Sequence, residues 1–331
     1  MPSERKTILL CVLNWGIGHA ARCVPLIEKW LRENKRVVIA SDGAALQMLQ
    51  VEFPKLLFEE LPPYNVQYDK GGNMVFAMAR QLPKFINAIN EEHKALDILV
   101  EKYKPEMVVS DSRFGCHTTK TKSVFITHQL HLIMPAAWKW MEPIVNHFNH
   151  KQIAKFDECW VPDVEGKNNL SGKLSHPALP NVQYIGTLSR FKKGNKVEKQ
   201  LEVLAVLSGP EPQRTLLEEK LRKQLSKSGL KYLLVRGLPQ KSTNKTNEVN
   251  YLNASELSKA IAESKIVICR SGYSTIMDLM TLQADTKIVF IPTPGQTEQE
   301  YLAERLVEKG FGLCVKQGEF ELTLLSEKFK H

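Results

Sequence analysis

The sequence predicts an α/β protein of two doubly wound parallel-sheet domains, and three observations carry that reading. Short apolar, β-branched runs alternate with stretches whose apolar residues recur at helical spacing, as parallel neighbours joined by crossover helices require. The alternation runs through the chain twice, on either side of a turn-rich segment. In both series the runs end in small or polar residues that open directly into a helical pattern, the place where open α/β sheets hold ligands.

The first series begins with a strand over residues 7–13, followed by a helix over 19–32, a strand over 36–41, a helix over 43–50 and a strand over 55–61. After the Pro62-Pro63 break and a polar loop over 67–73, a long helical region covers 74–103. It is expected to be interrupted at Pro83, because proline removes an N–H and clashes with the preceding turn. Strands over 107–111 and 123–127, a helical stretch over 135–155 and a strand over 158–161 complete the half. Residues 163–180, rich in Gly, Asn, Ser and Pro without a clear period, read as loop. The second series follows residues 181–186 and the basic segment 190–196. Its strands are 202–207, 231–235, 249–252, 265–269, 287–291 and 312–315, alternating with helices over 213–227, 255–263, 272–283 and 298–309. Two Rossmann-like domains result, residues 1–186 and 187–331, with the carboxyl ends of both sheets expected at a shared cleft. No sequence repeat relates them, so any likeness between the halves is architectural.

A chain of 331 residues, 43% apolar and 24% charged, has ample material for a core. No apolar run approaches the roughly 20 residues needed to span a bilayer, and the run at 8–13 is too short for the apolar part of a signal peptide. The six cysteines are scattered without a C-x-x-C, and Cys11 and Cys269 fall within predicted strands. That pattern implies reduced thiols in the cytoplasm, without zinc or disulfides. The net charge of +9 suits a nucleotide or an anionic membrane surface, or is simply a lysine-rich surface. Nucleic acid is not expected, since the basic residues are neither clustered nor interleaved with aromatics.

Three strand ends in the second half carry chemistry. The strand over 265–269 runs into Arg270-Ser271-Gly272-Tyr273-Ser274-Thr275, then Ile276, Asp278 and Leu279 on a helical pattern. Such a helix start offers backbone N–H groups, the positive dipole end and three hydroxyls to a phosphate, or it is an ordinary turn capped by Ser271. Asp278, two turns in, is placed to accept from ribose hydroxyls or to sit solvated on the helix. At Leu207-Ser208-Gly209-Pro210-Glu211-Pro212, Gly209 permits close backbone approach, although taken alone the motif reads first as a plain turn. At Pro292-Thr293-Pro294-Gly295-Gln296-Thr297-Glu298-Gln299, Glu298 and Gln299 offer an acceptor and an amide for sugar hydroxyls, or serve as favourable groups in a helix first turn.

The order strand, Arg-Ser-Gly-x-x-Thr-x-x-acid, then Pro-x-Pro-Gly-Gln-x-Glu-Gln-x-x-x-Ala resembles the nucleotide-sugar domain of GT-B glycosyltransferases. It is most similar to the family 28 group that contains the peptidoglycan N-acetylglucosaminyltransferase. The resemblance implies Ser271, Gly272, Ser274 and Thr275 at phosphate beside Arg270 and Gly209, Asp278 at ribose, and Glu298 and Gln299 at the donor sugar. It places base recognition near Asn253 and Ala254. Gly186-Thr187-Leu188-Ser189-Arg190 is similar to the hinge of that family and puts Arg190 among the donor contacts.

In the first half, Gly16-Ile17-Gly18-His19 follows the first strand. With Ala21, and Asp42 about 20 residues on, it also fits a dinucleotide fingerprint, so an NAD-dependent oxidoreductase is a rival reading. The resembling enzymes carry Gly-x-Gly-Gly-His, with the imidazole at the donor–acceptor junction, and Gly18 and His19 match its end while Ile17 replaces a glycine. Asp111 is a candidate base or base-orienting carboxylate, or a loop cap. His128 and Gln129 resemble acceptor-side residues of the family. His128-x-x-His131 and His147-x-x-His150 lack a third ligand at a metal-binding spacing, and no Asp-x-Asp clamp occurs, so no metal site is expected.

The expected function is inverting, metal-independent transfer from a UDP-sugar to an acceptor hydroxyl, with His19 as general base and no cofactor, the nucleotide sugar being a co-substrate. A UDP-sugar epimerase and a non-catalytic nucleotide-sugar-binding subunit are further alternatives. The apolar and basic stretch 130–151, which includes Trp138, Lys139, Trp140 and Ile144, either packs in the core or rests on the inner face of a membrane to collect a lipid-linked acceptor.

Overall fold

The computed structural model describes residues 5–64, 74–176, 179–239, 243 and 245–328. The chain divides into two compact units, and the boundary along the sequence falls between Arg190 and Phe191.

The first unit contains β1 (Thr7–Val12), α1 (Gly18–Arg32), β2 (Arg36–Ser41), α2 (Gly43–Glu52), β3 (Leu57–Glu60), α3 (Met74–Tyr103), β4 (Met107–Asp111), β5 (Lys122–Ile126), α4 (Glu142–Ile153), β6 (Glu158–Val161) and β7 (Val182–Tyr184). Its sheet has the order β3-β2-β1-β4-β5-β6-β7. β1 is buried along its whole length, and its side chains form a near-continuous apolar run because both faces of a parallel sheet are covered. It pairs in parallel with β2 on one side and β4 on the other, with Val12 opposite Asp111. The strand order reverses between β1 and β4, so the segments leaving those two strands diverge at a switch point.

The second unit repeats the scheme with β8 (Leu201–Val206), α5 (Gln213–Leu225), β9 (Tyr232–Val235), β10 (Glu248–Val249), α6 (Ala254–Ala262), β11 (Ser264–Cys269), α7 (Tyr273–Leu282), β12 (Lys287–Phe290), α8 (Thr297–Glu308), β13 (Leu313–Cys314) and α9 (Thr323–Lys328). The order β10-β9-β8-β11-β12-β13 places its switch point between β8 and β11, which pair in parallel. Val203, Ala205, Leu217, Leu221, Ile268, Val289 and Phe320 are among its core residues.

Several elements differ from expectation. α3 runs unbroken through Pro83, since one lost hydrogen bond is tolerated in a helix of 30 residues. β7 was not expected as a strand, because three residues are too few to show a period; it joins the sheet by pairing with β6. The stretch 135–155 divides into a 3-10 turn (Ala136–Met141) and α4, which starts where Pro143 can occupy a first-turn position that needs no N–H donor. The core-packing reading of this stretch fails at Trp140 and Ile144, which are 68% and 61% exposed. The polar loop expected over 67–73 lies outside the described residues.

Candidate active site

At the first switch point, α1 begins at Gly18 without a side-chain cap and carries His19 in its first turn. Nδ1 of His19 lies 2.5 Å from Oδ1 of Asp111, the last residue of β4. Nη2 of Arg22 also lies 3.1 Å from this Nδ1, but the shorter contact, to an ionised carboxylate, is an N–H donating, which favours the Nδ1–H tautomer and leaves the Nε2 lone pair as a base. The His19 side chain is 19% exposed and that of Asp111 is fully buried. Arg22 donates from Nε to Oδ2 of Asp111 at 2.6 Å and from Nη2 to Oδ1 at 2.7 Å, a two-pronged pairing. Burial alone would raise the Asp111 pKa, but the Arg22 guanidinium and then His19 hold it well below the usual carboxylate range. Burial, and next the charge of Arg22, push His19 below its ordinary 6.5, against the opposing pull of Asp111.

His128, after β5, is buried with Nδ1 3.1 Å from Nη1 of Arg22. The backbone of its neighbour Gln129 is fixed on both sides: its N–H donates to Thr127 Oγ1 and its carbonyl accepts from Asn149 Nδ2. His131 meets Glu142, and His150 donates from Nε2 to the Leu130 carbonyl, so each serves to anchor this loop to α4. Asp42, the acid the dinucleotide reading required, accepts from Arg113 Nη1 at 2.9 Å and from Asn14 Nδ2 at 3.0 Å. Arg113 also binds the buried Glu92. The acid that would have taken a ribose is thus part of a buried ion-pair network.

At the second switch point, Gly209 follows β8 with φ +99°, a conformation that favours glycine. Arg270 follows β11 and is 1% exposed. Its Nη1 donates to the Ile291 and Pro292 carbonyls, and its Nη2 to the Gln213 carbonyl and Gln317 Oε1. Among the described residues no carboxylate pairs with it, and its Nε has no partner. Burial pushes its pKa down to about 10. The hydroxyl of Thr293, also 1% exposed, is likewise unpartnered. Both atoms border Gly209: a Cβ built there would lie 3.4 Å from Thr293 Oγ1 and 3.9 Å from Arg270 Nε. The missing side chain therefore brings the backbone of Gly209 close beside two unmet polar groups.

The N-terminus of α7 lies just beyond. Gly272 is its N-cap, no side chain caps it, and a Cβ at Gly272 would meet nothing within 4 Å. Ser274 and Thr275 occupy the half-buried first turn. Two expected ligand groups are turned inward instead. Ser271 is fully buried and donates to the Gln299 carbonyl at 2.8 Å, where it ties α7 to α8. Gln299 accepts from the Thr293 N–H at 2.9 Å and donates to Gln296, so its amide shapes the 293–299 turn. Asp278 is 6% exposed, which rules out a solvated surface acid. Glu298 is half-buried in the first turn of α8, and Arg190, half-buried, ends the first unit. Asn253 caps α6 in a reciprocal pair with Glu256, so its side chain serves the helix.

Sequence reasoning missed Arg22 and Thr293. Arg22 carried a signal, a lone cation on the face of α1 that buries Ala20, Ala21, Cys23, Val24 and Ile27. Thr293 carried none beyond its place in a Pro-Gly turn.

Residues 210–331 match the family model of the glycosyltransferase family 28 C-terminal domain. An uncharacterized glycosyltransferase of Methanosarcina acetivorans is 24% identical over 330 residues, covering 92% of this chain and 84% of that protein. One from Methanosarcina mazei is 22% identical over 328 residues, covering 92% and 85%. Among solved structures, the glycosyltransferase SnogD of Streptomyces nogalater superposes with a TM-score of 0.60 at 12% identity, over 98% of this chain and 90% of that one. MurG of Acinetobacter baumannii gives 0.56 at 12% identity over 99% and 90%. VinC, solved in complex with dTDP, gives 0.58 at 12% identity over 98% and 90%. These likenesses establish the GT-B fold.

Proposed function

We propose that this glycosyltransferase, a GT-B protein whose residues 210–331 form a family 28 C-terminal domain, transfers a sugar from a nucleoside-diphosphate sugar to an acceptor hydroxyl with inversion. The observation that carries the reading is the pair of unmet groups beside Gly209, the Nε of a buried guanidinium that no carboxylate meets among the described residues and the hydroxyl of Thr293, next to the uncapped start of α7. A buried cation lacking an anionic partner is costly, and a diphosphate oxygen satisfies it. The same groups then stabilise the charge that grows on the leaving diphosphate, which is why the reading needs neither a metal clamp nor a cofactor.

The C-terminal unit holds the donor, with Gly209, Arg270, Gly272, Ser274 and Thr275 at the diphosphate and Asp278 at the ribose. Glu298 faces the sugar and Arg190 adds a donor contact. Ser271 and Gln299 act by shaping these turns. In the N-terminal unit, beyond Gly18, Nε2 of His19 takes the acceptor proton. As it does so, the acceptor oxygen bonds to the anomeric carbon and the bond from that carbon to the diphosphate breaks. His128 and Gln129 belong to the acceptor side. UDP is the expected nucleotide; the dTDP bound to VinC makes thymidine diphosphate the comparison to include. The engagement of Asp42 with Arg113 and Asn14 weighs against the nicotinamide reading.

Calorimetric titration with UDP, dTDP and NADH tests the proposal: a nucleoside diphosphate binds and NADH does not, whereas NADH binding alone would restore the oxidoreductase. Incubating UDP-sugars without acceptor then separates transfer from epimerisation, since an epimerase isomerises the donor. Among the described residues no helix is long and apolar enough to cross a membrane. The six cysteines are unpaired, in keeping with a cytoplasmic protein. Exposed Trp140 and Ile144 offer an apolar surface for peripheral contact with the inner face of the membrane and a lipid-linked acceptor. Co-sedimentation with anionic vesicles tests this; a lack of salt-sensitive binding removes it.

A further inference from the structure

We propose that Arg22 is a positioning residue for His19. Its guanidinium holds both oxygens of Asp111, so that the carboxylate meets Nδ1 of His19 in one orientation, and its charge balances that of Asp111 beside the imidazole. The inference rests on the reading of His19 as the base.

Arg22 follows His19 by three positions along α1, so both side chains project from one face of the helix. The fork from Nε and Nη2 onto Asp111 allows the carboxylate one orientation, and Nη2 also donates to Ser112 Oγ at 3.0 Å. Ser112 adopts φ +58°, uncommon for a residue with a side chain, and its N–H and Oγ both donate to the Ile126 carbonyl. The backbone is therefore bent at the residue after Asp111 and pinned to β5.

An imidazole beside a lone carboxylate becomes easier to protonate, because the negative charge stabilises imidazolium. Here that charge is cancelled before the proton arrives. The groups facing the pair are Arg22 and Cys23 from α1, Asp111 from β4 and His128 from the segment after β5, with Cys23 Sγ 3.4 Å from Asp111 Oδ2. Of these, Asp111 alone pulls the His19 value upward, while burial, Arg22 and His128 push it down. Nη1 of Arg22 can only donate, so Nδ1 of His128 accepts and its proton resides on Nε2. Nη2 of the same guanidinium lies 3.1 Å from Nδ1 of His19, where Asp111 is the closer partner and accepts the hydrogen bond from the ring N–H.

The test is a nitrogen-detected NMR titration of the full chain labelled with ¹⁵N-histidine, with His19 assigned by difference from His19→Gln. The wild type is expected to show the Nδ1–H tautomer and a midpoint below 6.5. Arg22→Met is expected to move that midpoint upward from the wild-type value. Arg22→Lys, which restores the charge without the fork, is expected to return it toward the wild-type value with a mixed tautomer. A wild-type midpoint at or above 6.5, an Nε2–H tautomer, or an unmoved midpoint in folded Arg22→Met overturns the inference. Should Arg22→Met not fold, Asp111→Asn decides: with the Arg22 charge uncancelled the midpoint falls below that of the wild type, and a rise or no change counts against the proposal. These spectra need no sugar. If His19 titrates as stated while no sugar donor is turned over, the functional reading fails and this inference stands; turnover by a wild type whose midpoint lies above 6.5 removes this inference alone.

Discussion

Thr293→Val separates a donor contact from general packing, because it exchanges the unmet Oγ1 for a methyl group of the same shape. Without nucleotide, Thr293 is 1% exposed and its hydroxyl has no partner. An unsatisfied buried hydroxyl costs about 1–3 kcal/mol, so the variant should be the more stable protein. For a domain of roughly this size, each kcal/mol is worth about 2–4 °C in Tm. With a diphosphate present the order reverses. A hydrogen bond to a charged oxygen contributes about 1.5–3 kcal/mol, and its loss should weaken UDP binding by about 10–150-fold. Scanning calorimetry without nucleotide and isothermal titration with UDP read the two effects separately. A lower Tm in the variant, or a Kd for UDP within twofold of the wild type, would refute the assignment of Oγ1 to a phosphate oxygen.

His19→Ala should leave UDP binding intact, since its imidazole is assigned to the acceptor proton and not to the diphosphate, while turnover of the active donor–acceptor pair falls by about 10²–10⁴. Near-full activity would move the base to Asp111. Acid stability should respond to His117, whose ring stacks on His93 with centroids 4.4 Å apart. Burial, then the charges of His93 and Lys155, push its pKa down to about 4. Between pH 6.5 and 4 the unfolded chain binds a proton that the folded one does not, so stability falls as the pH drops through that window. The Tm of His117→Phe should therefore fall less than that of the wild type between pH 7 and 4.5, and equal falls would argue against a half-buried neutral ring.

Both sheets were legible in the sequence because a strand covered on each face must be apolar throughout, as in Ile8 to Val12 and Ile266 to Cys269, and because glycine-bearing turns mark where such strands end. The position of the His19 turn and of the Arg270–Thr275 turn follows from that pattern alone. The direction in which a side chain points does not. Ser271 and Ser274 are chemically alike and three positions apart, yet one ties two helices together inside the protein and the other lies in the half-buried first turn of α7. Arg22 finds its carboxylate 89 residues away, and Asp42 its guanidinium 71 residues away; such pairings depend on which strands become neighbours, and no local spacing encodes them. β7 escaped notice for a different reason, since three residues joined to one existing edge need little intrinsic preference of their own.

The carbonyl contacts of Arg270 have an evolutionary corollary. A single side chain draws together the start of α5, the exit of β12 and the Gln317 turn, segments separated by as many as 104 residues of chain. An insertion in any one of them would pull an anchor away from the other two. Variation among descendants of this protein should therefore accumulate elsewhere in the lobe, and where one of the three segments does change length, its companions should change in the same lineage.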